Sequence, residues 1–260
     1  MFRANRLKAR LKAGEPSLGC WLFLPGADHA EVLAQAGFDA LIVDHEHTPG
    51  DLRHLVAQLR AIQAYPTTAL VRVAQNDPVA IKQVLDAGVE GVIVPLVETA
   101  EDARRAVAAC RYPPAGMRGS AQAVARAADY GRRKDYAGRA AEELVIVVQV
   151  ETVAAVANLP DILAVDGLDA VFIGPGDLAA SLGRPGAAAD DPEVADLIGE
   201  IERQVLGHGV ALAGITAQAR EARRMIERGY GLVTPATDVW LVRDGARDVL
   251  DALRASSGQA

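Results

Sequence analysis

Residues 87–95 read Ala-Gly-Val-Glu-Gly-Val-Ile-Val-Pro: a glycine closes a helical pattern, an apolar residue follows, and a short β-branched run ends on proline. The same punctuation recurs as AGFDALIVD at 36–44, DGLDAVFIG at 166–174 and RGYGLVTPA at 228–236. Gly37, Gly88, Gly167 and Gly229 fit the left-handed position just past a helix C-terminus, which a side chain resists. Punctuation repeated over most of the chain predicts similar strand–helix units closing into a barrel rather than an open doubly wound sheet.

Working outward, apolar runs at 19–24, 40–44, 68–73, 91–95, 144–150, 170–174, 211–215 and 232–235 supply eight strand candidates. Segments such as DLRHLVAQLRAI and PVAIKQVLDA between them place apolar residues three or four apart, the helical period. The expected fold is α/β, a single (β/α)8 TIM barrel over 1–260 with an N-terminal helix carrying Leu7 and Leu11; such barrels need about 250 residues. No G-x-G-x-x-G follows the first strand, so a dinucleotide fold lacks its main signal. The stretch 111–143 breaks the rhythm before strand five and is expected as an inserted loop at the barrel mouth, where Arg118 and other basic residues would meet solvent or a carboxylate.

Half the residues are apolar and the net charge is −7, which provides a core but no broad basic surface, so nucleic acid is not an expected partner. No apolar run approaches the ~18 residues of a membrane span, and no signal-peptide core follows the basic N-terminus, so a cytoplasmic protein is expected. Cys20 and Cys110 lie far apart without a C-x-x-C partner and read as reduced core residues.

Barrel enzymes carry their chemistry at the C-terminal ends of the strands. Those ends supply Asp44-His45-Glu46-His47, Arg72, Gln149 with Glu151, and Gly174-Pro175-Gly176-Asp177. Glu151 and Asp177 follow adjacent strands and would repel unless a cation lay between them. Two carboxylates leave positions on a hard divalent ion for water or a bidentate 2-oxo acid. Helix capping by each acid is the competing role. His45 and His47 are equally placed as general base. Arg72, at the end of an apolar run, requires an anionic partner, either substrate or Asp44 and Glu46. The backbone N–H groups of Gly174 and Gly176 offer a carboxylate cradle. Trp21 either walls the pocket or fills the mouth. The lysines are Lys8, Lys12, Lys82 and Lys134, none at a strand end, so a Schiff-base route is disfavoured.

The segments AGFDALIVDHEHTPGD, VRVAQNDPVAIKQVLDAGVEGVIVPLVETAEDA, RYPPAGMRG, VQVETVAAVANL and VFIGPGDLAASLG, in this order, resemble the HpcH/HpaI aldolase family over nearly the whole length. The resemblance implies a class II pyruvate aldolase that reversibly cleaves 4-hydroxy-2-oxo acids to pyruvate, or a related 2-oxo acid, and an aldehyde through a metal-bound enolate. It makes His47 the base, with His45 at a position where members commonly carry a small residue. It implies that Arg72 stabilises the enolate and that Asp86 raises the basicity of the histidine. Substrate would contact Gln149 and the 174–177 turn, and Glu151 and Asp177 would bind Mg2+, Mn2+ or Co2+. It also implies a homohexamer with an exchanged C-terminal helix, at about 238–254. The rival activities are an oxaloacetate-type decarboxylase and an acyl-CoA lyase of the same superfamily; a non-catalytic carboxylate-binding barrel is the rival outside enzymes.

Overall fold

In the computed structural model, which describes residues 2–187 and 189–256, eight parallel strands close in chain order into a barrel. They are β1 (Ser17–Leu22), β2 (Ala40–Asp44), β3 (Thr68–Arg72), β4 (Gly91–Val94), β5 (Val145–Val150), β6 (Ala170–Ile173), β7 (Ala211–Ile215) and β8 (Tyr230–Thr237). The first helices are α1 (Arg6–Ala13), α2 (Ala27–Gln35), α3 (Leu52–Ile62), α4 (Pro78–Ala87) and α5 (Ala100–Cys110). Then come α6 (Tyr136–Glu143), α7 (Val153–Ala157), α8 (Leu159–Leu163), α9 (Pro175–Ser181), α10 (Pro192–His208), α11 (Ala219–Glu227) and α12 (Asp238–Ser256). The four junction glycines adopt φ of +95°, +99°, +104° and +101°, the left-handed conformation expected of them. The first strand is shifted two residues towards the N-terminus of its expected 19–24, and the last is longer than 232–235 at both ends; Ser17 pairs with Leu232 and Trp21 with Thr237 where the barrel closes.

Strand residues alternate between two layers. Leu41, Val43, Val71, Val92 and Val148 face the helices, whereas Trp21, Ile42, Leu70, Ile93, Val147, Phe172, Ala213 and Leu232 fill the barrel interior. Leu7 of α1 plugs the N-terminal end, with Leu11 packed beside it. Continued upward, the inward rows run 40-42-44, 70-72, 145-147-149-151, 21-23 and 213-215. The alternation that packs the core therefore delivers Asp44, Arg72, Gln149, Glu151, Phe23 and Ile215 to the C-terminal mouth.

The stretch 111–143 is not at that mouth. It joins the end of α5 to the start of β5 and so lies on the N-terminal face, where Arg126 donates to the Ala87 carbonyl and to Gln63 Oε1 at the ends of α4 and α3. Arg118 is buried rather than solvated: its Nη2 bonds Asp86 Oδ1 at 2.7 Å and the Tyr136 hydroxyl at 3.1 Å, between the rings of Tyr112 and Tyr136. Cys20 and Cys110 are free and buried, and burial pushes both thiols up to about 12, so they are inert packing groups. Among the described residues, no helix is long and apolar enough to cross a membrane.

Candidate active site

Asp44 organises the mouth. Its buried carboxylate accepts the Arg72 Nε–H at 2.7 Å and the backbone N–H groups of Glu46 and His47 at 3.2 and 3.0 Å. The loop after β2 is thereby folded over the end of the strand. Arg72 Nη1 meets Glu46 Oε2 at 3.0 Å, and the guanidinium lies 4.6 Å from the centre of the Trp21 ring. Both anionic partners considered for Arg72 are thus used, yet Arg72 still lines an open cavity of about 220 Å³. With it, His47, Gln149, Gly176 and Asp177 supply polar lining and Trp21, Phe23, Phe172 and Ile215 apolar lining.

The two histidines separate here. His47 is exposed to the cavity, with Nε2 3.5 Å from Glu46 Oε2. His45 turns behind the loop, where its Nε2 is buried without a partner and burial lowers its pKa. Asp86 does not join them. It sits in the last turn of α4, paired with Arg118, and because α4 runs antiparallel to the strands that turn lies at the N-terminal face. Any Asp86–His47 pairing would have to form between two copies of the chain.

Glu151, one residue past β5, is 1% exposed. Its Oε2 accepts from Gln149 Nε2 at 2.8 Å and its Oε1 from the Leu96 N–H at 2.8 Å. The Gln149 amide is oriented by this contact, since its oxygen cannot face a carboxylate, and that leaves Gln149 Oε1 buried and unpartnered. Gly174 makes room: a Cβ there would lie 2.5 Å from Glu151 Oε2. Its N–H is spent on the Val150 carbonyl, so the carboxylate-cradle role expected of that group is not available. Asp177 lies in the first turn of α9, exposed to the cavity.

Burial pushes the Glu151 carboxyl up to about 7; the Leu96 N–H and Arg72 oppose this, while Asp177 and Glu46 add to it. One guanidinium therefore faces several acids, and the donors are all oxygens. That composition fits a hard divalent cation. Among the described residues no three His, Cys, Asp or Glu side chains converge on one point, so protein ligation alone would be incomplete and exchangeable positions would remain. If Glu151 ligates such an ion, a proton competes for it, and Mn2+ affinity should be flat above pH 7 and fall by about tenfold per unit below it. Calorimetric titration between pH 5.5 and 8.5 checks this, and an affinity that ignores pH would contradict it.

Leu96 carries backbone strain at this point. It has φ of +51° and a side chain more than half exposed, so packing does not account for its left-handed conformation; the N–H to Glu151 does. Leu96→Gly, which adopts this conformation freely, should keep Mn2+ affinity. With Glu151 as a ligand, Leu96→Val, which resists it, should weaken Mn2+ binding by about tenfold through loss of the hydrogen bond that supports that carboxylate. Equal affinities in the two variants would show that the N–H is dispensable.

Sequence reading did not place Phe23, Ile215 or Leu96 in the site. Strand alternation was the available signal for Phe23 and Ile215; nothing marks a left-handed leucine.

A closed parallel barrel with these groups at its C-terminal mouth is the framework of a (β/α)8 enzyme. The chain belongs to the HpcH/HpaI aldolase/citrate lyase family, whose model matches residues 18–244. It is 44% identical over 254 residues to the 4-hydroxy-2-oxo-heptane-1,7-dioate aldolase of Shigella sonnei, covering 98% of this chain and 95% of that protein. The crystal structure of an HpcH/HpaI aldolase/citrate lyase family protein from Burkholderia cenocepacia J2315 is similar at a TM-score of 0.93, with 39% identity over 96% of this chain and all of that one. An HpcH/HpaI aldolase from Desulfitobacterium hafniense DCB-2 superposes at 0.89 with 30% identity, covering 96% and 97% of the two chains. The chain is an aldolase, a carbon–carbon lyase.

Proposed function

We propose that the chain reversibly cleaves 4-hydroxy-2-oxo acids to pyruvate, or a related 2-oxo acid, and an aldehyde, with a divalent cation held by Glu151 and Asp177. The observation that carries this is the buried Glu151 carboxylate, gripped on both oxygens and set directly behind Gln149 and Gly174, which line the same cavity as Arg72, His47 and Asp177. The named activity of the relatives supports the substrate class. Mg2+, Mn2+ and Co2+ all suit an oxygen donor set. Such an ion, when bound, would supply a Lewis acid for the carboxylate and keto oxygens of the 2-oxo acid.

The protein groups divide the remaining work. Arg72, held rigid by Asp44 and Glu46, presents fixed positive charge where negative charge develops on the keto oxygen. His47, at the exposed edge, takes the proton of the 4-hydroxyl directly or through water. Gln149 Oε1 and the N–H of Gly176 are free to orient substrate or its water. Asp86, on the opposite face, assists only if another copy brings it to His47. The exposed Leu241, Val242, Val249 and Leu250 of α12, beside a groove lined by Val32 and Leu33, support a homohexamer with that helix exchanged. A cytoplasmic location suits an enzyme acting on small 2-oxo acids. Release of pyruvate from 4-hydroxy-2-oxo acids, followed with a pyruvate-specific coupling enzyme, tests the reading. Thioester cleavage or oxaloacetate decarboxylation without any aldol cleavage would replace it.

A further inference from the structure

The cavity is lined by two chemical kinds of residue, and the apolar ones play no part in the proton transfers described above. Phe23 follows β1 by one residue and continues the inward row of Trp21. The two rings stack with centroids 5.9 Å apart and 22° between planes. Trp21 is itself fixed: its Nε1–H bonds Thr234 Oγ1 at 3.1 Å, and its ring meets the edge of Phe172 at 5.5 Å. Phe23 is also held, because the backbone N–H groups of Phe23 and Leu24 both donate to the buried Asp238 carboxylate at 2.9 Å. A partly exposed aromatic ring on an anchored backbone is a preformed apolar contact surface.

Charge acts in the same direction. Among the described residues lining the cavity, Arg72 is the one permanent cation, and Asp44 and Glu46 already engage its Nε and Nη1. Asp177 lines the same cavity and the largely buried Glu46 and Glu151 stand close behind it, so acids outnumber the single guanidinium at the mouth. The metal and what remains of Arg72 are taken up by the 2-oxo acid end of the substrate. A second carboxylate at the far end would lose hydration against aromatic faces with no cation in this chain to receive it, whereas an alkyl or aryl group there gains by burial.

Building on the aldolase reading above, we infer that the preferred acceptor is an aldehyde with an apolar alkyl or aryl substituent, and that Phe23 sets this preference. The acceptor then differs from the one implied by the dioate named for the relatives, whose substrate carries a carboxylate at each end. In the cleavage direction the C3–C4 bond breaks, the 4-hydroxyl proton goes to the base, and the bonding pair passes to C3, which takes up a proton to become the methyl group of pyruvate.

Two substrates of equal length isolate the effect: 4-hydroxy-2-oxoheptanoate, which yields pyruvate and butanal, and 4-hydroxy-2-oxoheptanedioate, which yields pyruvate and 4-oxobutanoate. With the full-length enzyme loaded with Mn2+, kcat/KM should favour the heptanoate by about tenfold or more. Phe23→Ala should lower kcat/KM for the heptanoate by about tenfold, mainly through KM, while changing the heptanedioate by less than about threefold. Phe23→Lys should reverse the order. Should Phe23→Ala fail to fold, Phe23→Leu reports the same trend on a smaller scale. Exchange of the pyruvate methyl hydrogens in D2O provides a readout that needs no acceptor. Exchange together with a preference for the heptanedioate, or equal losses on both substrates in Phe23→Ala, overturns the acceptor inference alone. Absence of both exchange and cleavage overturns the aldolase reading, and the acceptor inference falls with it.

Discussion

Arg72→Met is expected to lower kcat by about 10²–10³ and to destabilise the fold by about 3 kcal/mol, the low end for removing one member of a buried ion pair. The structural reason is that one guanidinium serves two purposes. Its Nε neutralises Asp44, which is fully buried, and its Nη1 neutralises Glu46, so truncation strands two acids next to Glu151 and Asp177. Contact with the Trp21 face is lost as well. Asp44 retains the Glu46 and His47 N–H donors, which is why the cost stays at the lower end. Arg72→Lys separates charge from geometry. An ammonium keeps the positive charge but cannot present a planar fork to both acids, so stability should recover in part while kcat stays low. Thermal unfolding alongside pyruvate release checks both; a lysine variant with near wild-type kcat would show that charge alone suffices.

His47→Asn should act in the opposite way, lowering kcat/KM by about 10²–10⁴ with almost no change in stability. The His47 side chain is 58% exposed and its nearest charged partner is 3.5 Å away, so little packing depends on it. His45→Ala is the informative companion. His45 does not line the cavity and buries an unpartnered nitrogen, so its replacement should leave turnover within a fewfold of wild type. If His45→Ala were the crippled variant and His47→Asn the active one, the assignment of the base would be wrong.

Much of this architecture is legible in the sequence because the determinants are local. A glycine at a left-handed helix end announces itself wherever it occurs, and all four junction glycines adopt that conformation. Strand-end chemistry is legible for a related reason: alternation alone puts Asp44, Arg72, Gln149 and Glu151 on the same side as the interior residues beneath them. The failures concern the third dimension. Arg118 lies in a segment whose composition suits a working mouth, yet the connection that follows a helix C-terminus belongs to the N-terminal face of any such barrel. Chain direction alone therefore excludes the mouth for the stretch 111–143, which leaves a helix and enters a strand. Two features had no local signal: the N–H of Gly174, consumed by the Val150 carbonyl, and the left-handed Leu96. Both depend on what a neighbouring strand presents.

The divalent ion proposed for Glu151 and Asp177, on which aldol cleavage would depend, is tested most directly by pyruvate release. A 4-hydroxy-2-oxo acid is offered to chelator-treated protein with and without added Mn2+ or Mg2+, beside Glu151→Gln treated identically. Cleavage that vanishes on chelation, returns with metal in the wild type and stays absent in folded Glu151→Gln is the expected result. Cleavage that persists without metal, or that metal restores equally in Glu151→Gln, would contradict it.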